Sequence, residues 1–117
     1  MKYFASLIVV FITALQLNAQ QSPVGTWNTG QKNTLVEIKE VGNSLEGKIV
    51  ASDNAKAPLG KRLIKDIKKQ GDTYEGQLYS IKKDKWFDAK FNVKSETLEI
   101  TVSAGLMKKT IEWTKSK

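Results

Sequence analysis

The 117-residue chain contains no cysteine and no histidine. Without cysteine it has no disulfide framework, no thiol redox chemistry and no thiolate metal site. It also lacks the residue that a lipid-anchored lipoprotein needs at its cleavage point. Histidine is the one side chain whose unperturbed pKa lies between about pH 5 and 8. Its absence excludes a Ser-His-Asp triad, a histidine-ligated zinc hydrolase site and haem ligation by histidine. Carboxylates, lysine and tyrosine are what remain for catalysis. The 12 acidic residues are scattered, and no spacing among them marks a carboxylate pair, although such pairs are assembled in space. We expect no metal site, no cofactor and no enzymatic activity.

What is present begins with the N-terminal segment. Lys2 supplies a short positive region, and Phe4 to Leu17 is an almost unbroken apolar run. Leu17-Asn18-Ala19 then places a small residue where a signal peptidase would cut. A charged start, an apolar stretch of roughly 14 residues and a small residue at the cut read as a secretory signal peptide. The run is shorter than the ~20 residues a spanning helix needs, and an uncleaved membrane anchor is the alternative. The expected domains are a signal peptide over 1–19 and one folded domain over 20–117, exported to the periplasm or outside the cell. Removing the first 19 residues leaves about 98, enough for one compact core without disulfides.

The formal net charge is +7, and loss of Lys2 lowers it to about +6. The basic residues bunch at Lys61, Arg62, Lys65, Lys68 and Lys69, at Lys82, Lys83 and Lys85, and at Lys108 with Lys109. Arg62 is the sole arginine, so the charge consists of lysine point charges with little of arginine's forked geometry. Such a surface keeps an exported protein dispersed, or it attracts anionic envelope surfaces and acidic ligands weakly and diffusely.

After Gln20 the chain alternates short apolar–polar runs with turn signals every 8–12 residues, the pattern of an all-β sandwich or barrel. Gly25-Thr26-Trp27 opens the first strand and Thr34 to Val41 forms the second. After the turn at Gly42-Asn43-Ser44, Leu45, Gly47, Ile49 and Ala51 share one face. Lys61 to Gln70 is ambiguous. Leu59, Leu63 and Ile67 recur at helical spacing, yet the Gly71-Asp72 turn favours a strand. Tyr74, Gly76 and Leu78 then alternate with polar neighbours. So do Phe87, Ala89, Phe91 and Val93, beyond a turn expected at Lys82 to Lys85, and so do Leu98, Ile100, Val102 and Ala104. Ile111 and Trp113 lie in the last strand. Seven or eight antiparallel strands with short turns make a single small up-and-down barrel, whose closure removes exposed edges.

Gly25-Thr26-Trp27 resembles the Gly-x-Trp start of lipocalin-like barrels, in which the tryptophan plugs one end. Pro23 to Trp27, Val36-Glu37-Ile38, Leu45 to Val50, Pro58-Leu59-Gly60, Tyr74-Glu75-Gly76, Leu98-Glu99-Ile100 and Thr110 to Thr114 together resemble a family of small exported bacterial proteins of unknown function. The likeness spans nearly all of the mature chain and implies a lipocalin-like barrel in the bacterial envelope. It implies no activity, because a fold does not supply one. The chain departs from the family pattern at the short loop Asp53 to Ala57, at Lys82 to Lys85, and at Thr101-Val102-Ser103, where members commonly carry Arg-Gly-Tyr.

Two functional readings follow. The first is a non-catalytic barrel holding a small, partly apolar ligand among Trp27, Ile38, Ile49, Tyr74, Leu78, Phe87, Phe91 and Trp113, with Val36 and Ile100 beside them. The same residues serve equally as core filler, since small barrels are normally packed solid. The second is an interaction or structural module of the envelope, using exposed Tyr79 and Trp86 among Arg62, Lys65 and other cations. Export argues against nucleic acid as the partner, and the strand count exceeds the five of an oligonucleotide-binding fold. A monomer that does not span the membrane after signal cleavage is expected.

Overall fold

A computed structural model describes residues 21–116. The strands are β1 (Gly25–Asn28), β2 (Leu35–Val41), β3 (Ser44–Ala51), β4 (Arg62–Gln70), β5 (Thr73–Ser80), β6 (Lys85–Lys94), β7 (Thr97–Ala104) and β8 (Met107–Lys115). Each pairs antiparallel with the next, and β1 pairs with β8, so the eight strands close into one up-and-down barrel. The ladders close entirely within Gly25–Lys115, which makes the fold complete in that span. The expected signal peptide at 1–19 lies outside the described residues.

The period-2 pattern explains most of this architecture, because successive side chains on a strand face opposite sides. In β7, Leu98 and Ile100 are buried while Thr97, Glu99 and Thr101 are half-buried on the other face. Gly42 and Gly105 begin two-residue hairpin turns at φ 65° and 64°, a left-handed conformation that matches tight turns to the strand twist. The β5–β6 turn is Ile81–Asp84, one residue earlier than the sequence pattern indicates, because Lys85 already pairs with Ser80.

Residues 62–70 form a strand, and two irregularities account for their helix-like spacing. Opposite β3, Arg62 pairs with Lys48 and Ile64 with Gly47, leaving Leu63 as an extra residue. Opposite β5, Lys65 pairs with Gln77 and Lys68 with Glu75, so Asp66 and Ile67 together face Gly76. Asp66 takes φ 56°, the left-handed conformation that such bulges use. The bulge resets the strand's phase, so Ile64 and Ile67 both point into the core although they stand three positions apart, a spacing that would otherwise put them on opposite faces. Gly76 is what admits this backbone. A Cβ there would sit 2.8 Å from Ile67 Cα and from the Lys65 carbonyl oxygen.

The interior is apolar. Trp27, Val36, Ile38, Ile49, Ile64, Ile67, Phe91, Leu98, Ile100 and Trp113 form one buried cluster, closed in further by Leu45, Leu63 and Ala89. At the seam, Trp27 faces Val36 on one side and Lys115 on the other. Its indole N–H donates to the Pro23 carbonyl at 2.9 Å, and Lys115 Nζ lies 5.4 Å from the ring centre. Among the described residues no buried side-chain polar atom lacks a partner.

Candidate functional site

Outward positions of β5 and β6 build the most distinctive surface of the barrel. Tyr79 and Trp86 are direct cross-strand partners one pair in from the β5–β6 turn. Their ring centres are 5.2 Å apart at an interplanar angle of 58°, within the tilted geometries aromatic pairs favour. Cations from the end of the β3–β4 connection and the start of β4 reach over them. Lys61 Nζ is 4.6 Å from the Tyr79 ring centre, Lys65 Nζ is 4.3 Å from that of Trp86, and the Arg62 guanidinium is 5.8 Å from Trp86. Each such contact is worth about 0.5–1 kcal/mol at an exposed site. Because of these partners, both rings are half-buried, not fully exposed as their sequence phase alone indicates.

Arg62 is also held by Glu46 at 3.0 Å. Tyr79 donates its hydroxyl to Asp84 across the turn. That hydrogen bond raises the Tyr79 pKa above its ordinary value, and partial desolvation and the negative carboxylate push it the same way. Among the described residues, the salt bridges are Arg62–Glu46 and Lys94–Glu99. Lys61 and Lys65 therefore keep their charge available to an incoming anion. On the same wall, below the aromatic pair, lies an open concavity of about 460 Å³. Asp66, Glu75, Gln77, Asp88, Lys90 and Ser103 line it over a floor of Gly76 and Ala89. A second concavity of about 140 Å³ lies against β2 and β3, among Glu37, Lys39, Glu46 and Lys48.

The ligand-lining candidates divide into two groups. Trp27, Ile38, Ile49, Phe91 and Trp113 are buried in the packed core. Tyr74 and Leu78 are half-buried against it. Phe87, also half-buried, sits under Lys83, whose Nζ is 5.8 Å from the ring centre. Strands β5 to β8 thus loosen toward the β5–β6 and β7–β8 turns, where Leu78, Phe87, Val102 and Ala104 are all half-buried.

Residues 25–115 match the model of a family described as "Uncharacterized protein conserved in bacteria (DUF2147)". The chain belongs to this family. Its barrel is similar to a solved structure described as "Protein HP1028 from the human pathogen Helicobacter pylori belongs to the lipocalin family", with a TM-score of 0.65 over 82% of this chain and 84% of that one. The two are 20% identical, so the likeness is one of fold. No curated protein sequence matches the chain. This DUF2147 member is thus an all-β, lipocalin-like barrel, a fold whose eight strands either hold one small ligand or are filled by their own side chains.

The structure brings Arg62, Lys65, Tyr79 and Trp86 of the sequence reading into one cluster. It adds Lys61 as the cation over Tyr79 and Asp84 as the partner of its hydroxyl. A four-residue turn between Ser80 and Lys85 makes Tyr79 and Trp86 face each other, whereas the turn expected at Lys82 to Lys85 would have set Ile81 opposite Trp86. The approach of Lys61 is not legible in the sequence, because it depends on how the long β3–β4 loop returns to the sheet. Among the described residues no helix is long and apolar enough to cross a membrane. The barrel is apolar inside and carries Glu37, Lys48, Lys65, Asp88 and Lys90 outside, the reverse of a lipid-spanning barrel.

Proposed function

We propose that the chain is an exported, non-catalytic binding barrel that takes its ligand on the outer wall of β4, β5 and β6. The ligand class that fits is a small, partly apolar molecule bearing an acidic group. One observation carries this reading: the barrel interior is occupied by its own side chains, while the Tyr79–Trp86 pair outside is overlaid by Lys61, Lys65 and Arg62. Aromatic edges give such a ligand apolar contact, and the unpaired lysines give its acid a counter-charge. Export is supported by the leader pattern that ends at Ala19. An N-terminal sequence starting at Gln20 in the exported protein is the expected result, and a start at Met1 in that fraction counts against export.

Anilinonaphthalene sulfonate, an anionic apolar fluorophore, tests the wall directly. We expect its enhanced emission with the native protein to fall at least fivefold in Lys65→Glu and in Trp86→Ala, with circular dichroism unchanged. Binding that survives both substitutions but disappears in Phe87→Ser would move the ligand to the half-buried inner face and overturn the wall assignment.

A further inference from the structure

The most exposed large apolar side chains of the described barrel are Leu59 at 63%, Ile81 at 56%, Leu106 at 105% and Met107 at 76%. Leu59, Ile81 and Leu106 belong to three different connections, β3–β4, β5–β6 and β7–β8, and Met107 is the first residue of β8, directly after the last of these. In a closed up-and-down barrel alternate connections share an end, so all four stand on one rim. The turns at the opposite rim are Gly42-Asn43, Gly71-Asp72 and Ser95-Glu96, which are small or polar.

Charge follows the same division. Lys56 and Lys61 flank Leu59, Lys82 and Lys83 follow Ile81, and Lys108 and Lys109 follow Met107. None of these lysines forms a salt bridge among the described residues. The carboxylates of this rim, Asp53 and Asp84, are each engaged, by the Asn33 side-chain amide at 2.7 Å and by the Tyr79 hydroxyl. The rim therefore presents separated apolar tips, each with a lysine collar and little negative charge.

We infer that this rim docks on an anionic phospholipid bilayer. Leu59, Ile81, Leu106 and Met107 enter the boundary between headgroups and acyl chains, and the lysine collars stay at the level of the lipid phosphates. Surface-lying membrane elements combine apolar insertion with basic residues in this way. Lysine stems also pack along apolar surface while their ammonium groups remain in water. A protein partner fits less well, since lysine is depleted at protein interfaces and these apolar groups form no single patch. The rim adjoins the wall cluster and shares Lys61 and Asp84 with it, but Ile81, Lys82, Leu106, Met107 and Lys108, the residues changed in the test below, lie outside that cluster, so the two proposals are tested separately.

Sedimentation with vesicles tests the docking surface. Residues 21–117 are the piece to use, because every ladder closes within Gly25–Lys115 and the apolar leader would bind lipid by itself. We expect binding to vesicles of phosphatidylglycerol mixed with phosphatidylethanolamine, and none to phosphatidylcholine alone. The triple change Ile81→Ser, Leu106→Ser and Met107→Ser should lower the partition coefficient at least tenfold. Lys82→Glu with Lys108→Glu should lower it by more than tenfold, since each lysine near an anionic surface contributes about a factor of five. Val24→Ser with Val41→Ser, away from this rim, should change nothing. These side chains are exposed, so the melting temperature should stay put and confirm that each variant is folded. Wild-type affinity in the triple variant would overturn the inference. So would equal binding to phosphatidylcholine, or complete loss of vesicle binding at ~1 M salt with undiminished binding to heparin at low salt, which would leave charge alone at work.

Discussion

Replacing Trp27 by alanine separates the tryptophans that hold the barrel together from the one on its outer wall. Trp27 is 1% exposed and lies on the four-residue β1, the shortest strand, where only two residue pairs join β1 to β8. Truncating a buried tryptophan costs about 3–5 kcal/mol, as lost transfer energy plus the cavity left behind. Pro23, itself buried, also loses the donor to its carbonyl, and an orphaned buried acceptor costs about 1–3 kcal/mol. A domain has about 5–15 kcal/mol in total. At roughly 4–8 °C per kcal/mol for a domain of this size, the melting temperature should fall by well over 10 °C. Trp27→Phe keeps most of the apolar volume and isolates the hydrogen-bond loss, so an intermediate fall is expected. Trp86→Ala removes a half-buried ring and two cation–π contacts, for about 1–2 kcal/mol, well under the cost at Trp27. The assay is thermal unfolding followed by circular dichroism, because each substitution changes tryptophan emission directly. Equal and mild effects of Trp27→Ala and Trp86→Ala would refute both the register of the seam and the sealing role of Trp27.

Two further outcomes follow from the wall and its bulge. Gly76→Ala should destabilise the barrel by about 1–3 kcal/mol or more, because the new Cβ meets backbone atoms 2.8 Å away that cannot turn aside. Gly47→Ala, whose Cβ would meet only side-chain atoms of Ile38 and Ile64 at 3.2 Å, should cost less in the same urea titration, and the reverse order would contradict the bulge. Asp84→Asn should bring Tyr79 back toward the ordinary tyrosine pKa of about 10 in a phenolate absorbance titration. A pKa raised on folding favours the neutral phenol in the native state. The stabilisation is therefore complete at neutral pH and is lost as pH rises through the folded value. An unchanged titration would remove Asp84 as the cause.

How much of this was legible in the sequence depended on whether local pattern or closure decided it. The faces of β3, β5, β6 and β7 read directly from alternation, because those strands keep period 2 along most of their length. Residues 62–70 did not, because the extra residue Leu63 and the Asp66–Ile67 bulge place apolar groups at spacings that mimic a helix. Inward phase identified Trp27, Ile38, Ile49, Phe91 and Trp113 as one set. Phase cannot say whether inward side chains leave a cavity, since that depends on volumes brought together from eight strands. Tyr79 and Trp86 were legible as outward aromatics, but their half-burial arises from Lys61, Arg62 and Lys65, which arrive from a different hairpin. Leu59, Ile81 and Leu106 read singly as unremarkable loop residues. Only the up-and-down topology, which sends every second turn to the same end, brings them onto one rim.

This separation of a filled interior from a decorated exterior fixes how variants of the protein should be interpreted. The core cluster contains no charged residue and draws on nearly every strand, so damage to Trp27, Phe91 or Ile100 is felt as loss of the whole barrel. The wall and the rim draw on partly or fully exposed side chains outside that cluster, of which Tyr79 alone packs against it. A variant such as Trp86→Ala or Leu106→Ser therefore tests the proposed recognition surfaces with the barrel folded, whereas Trp27→Ala reports on the amount of folded protein. A barrel that instead held its ligand inside would not allow this distinction, because the same side chains would carry stability and affinity together. Finding ligand binding and melting temperature altered in step across Trp27, Phe87 and Phe91 variants, with the wall and rim variants silent in both, would be the signature of that other arrangement.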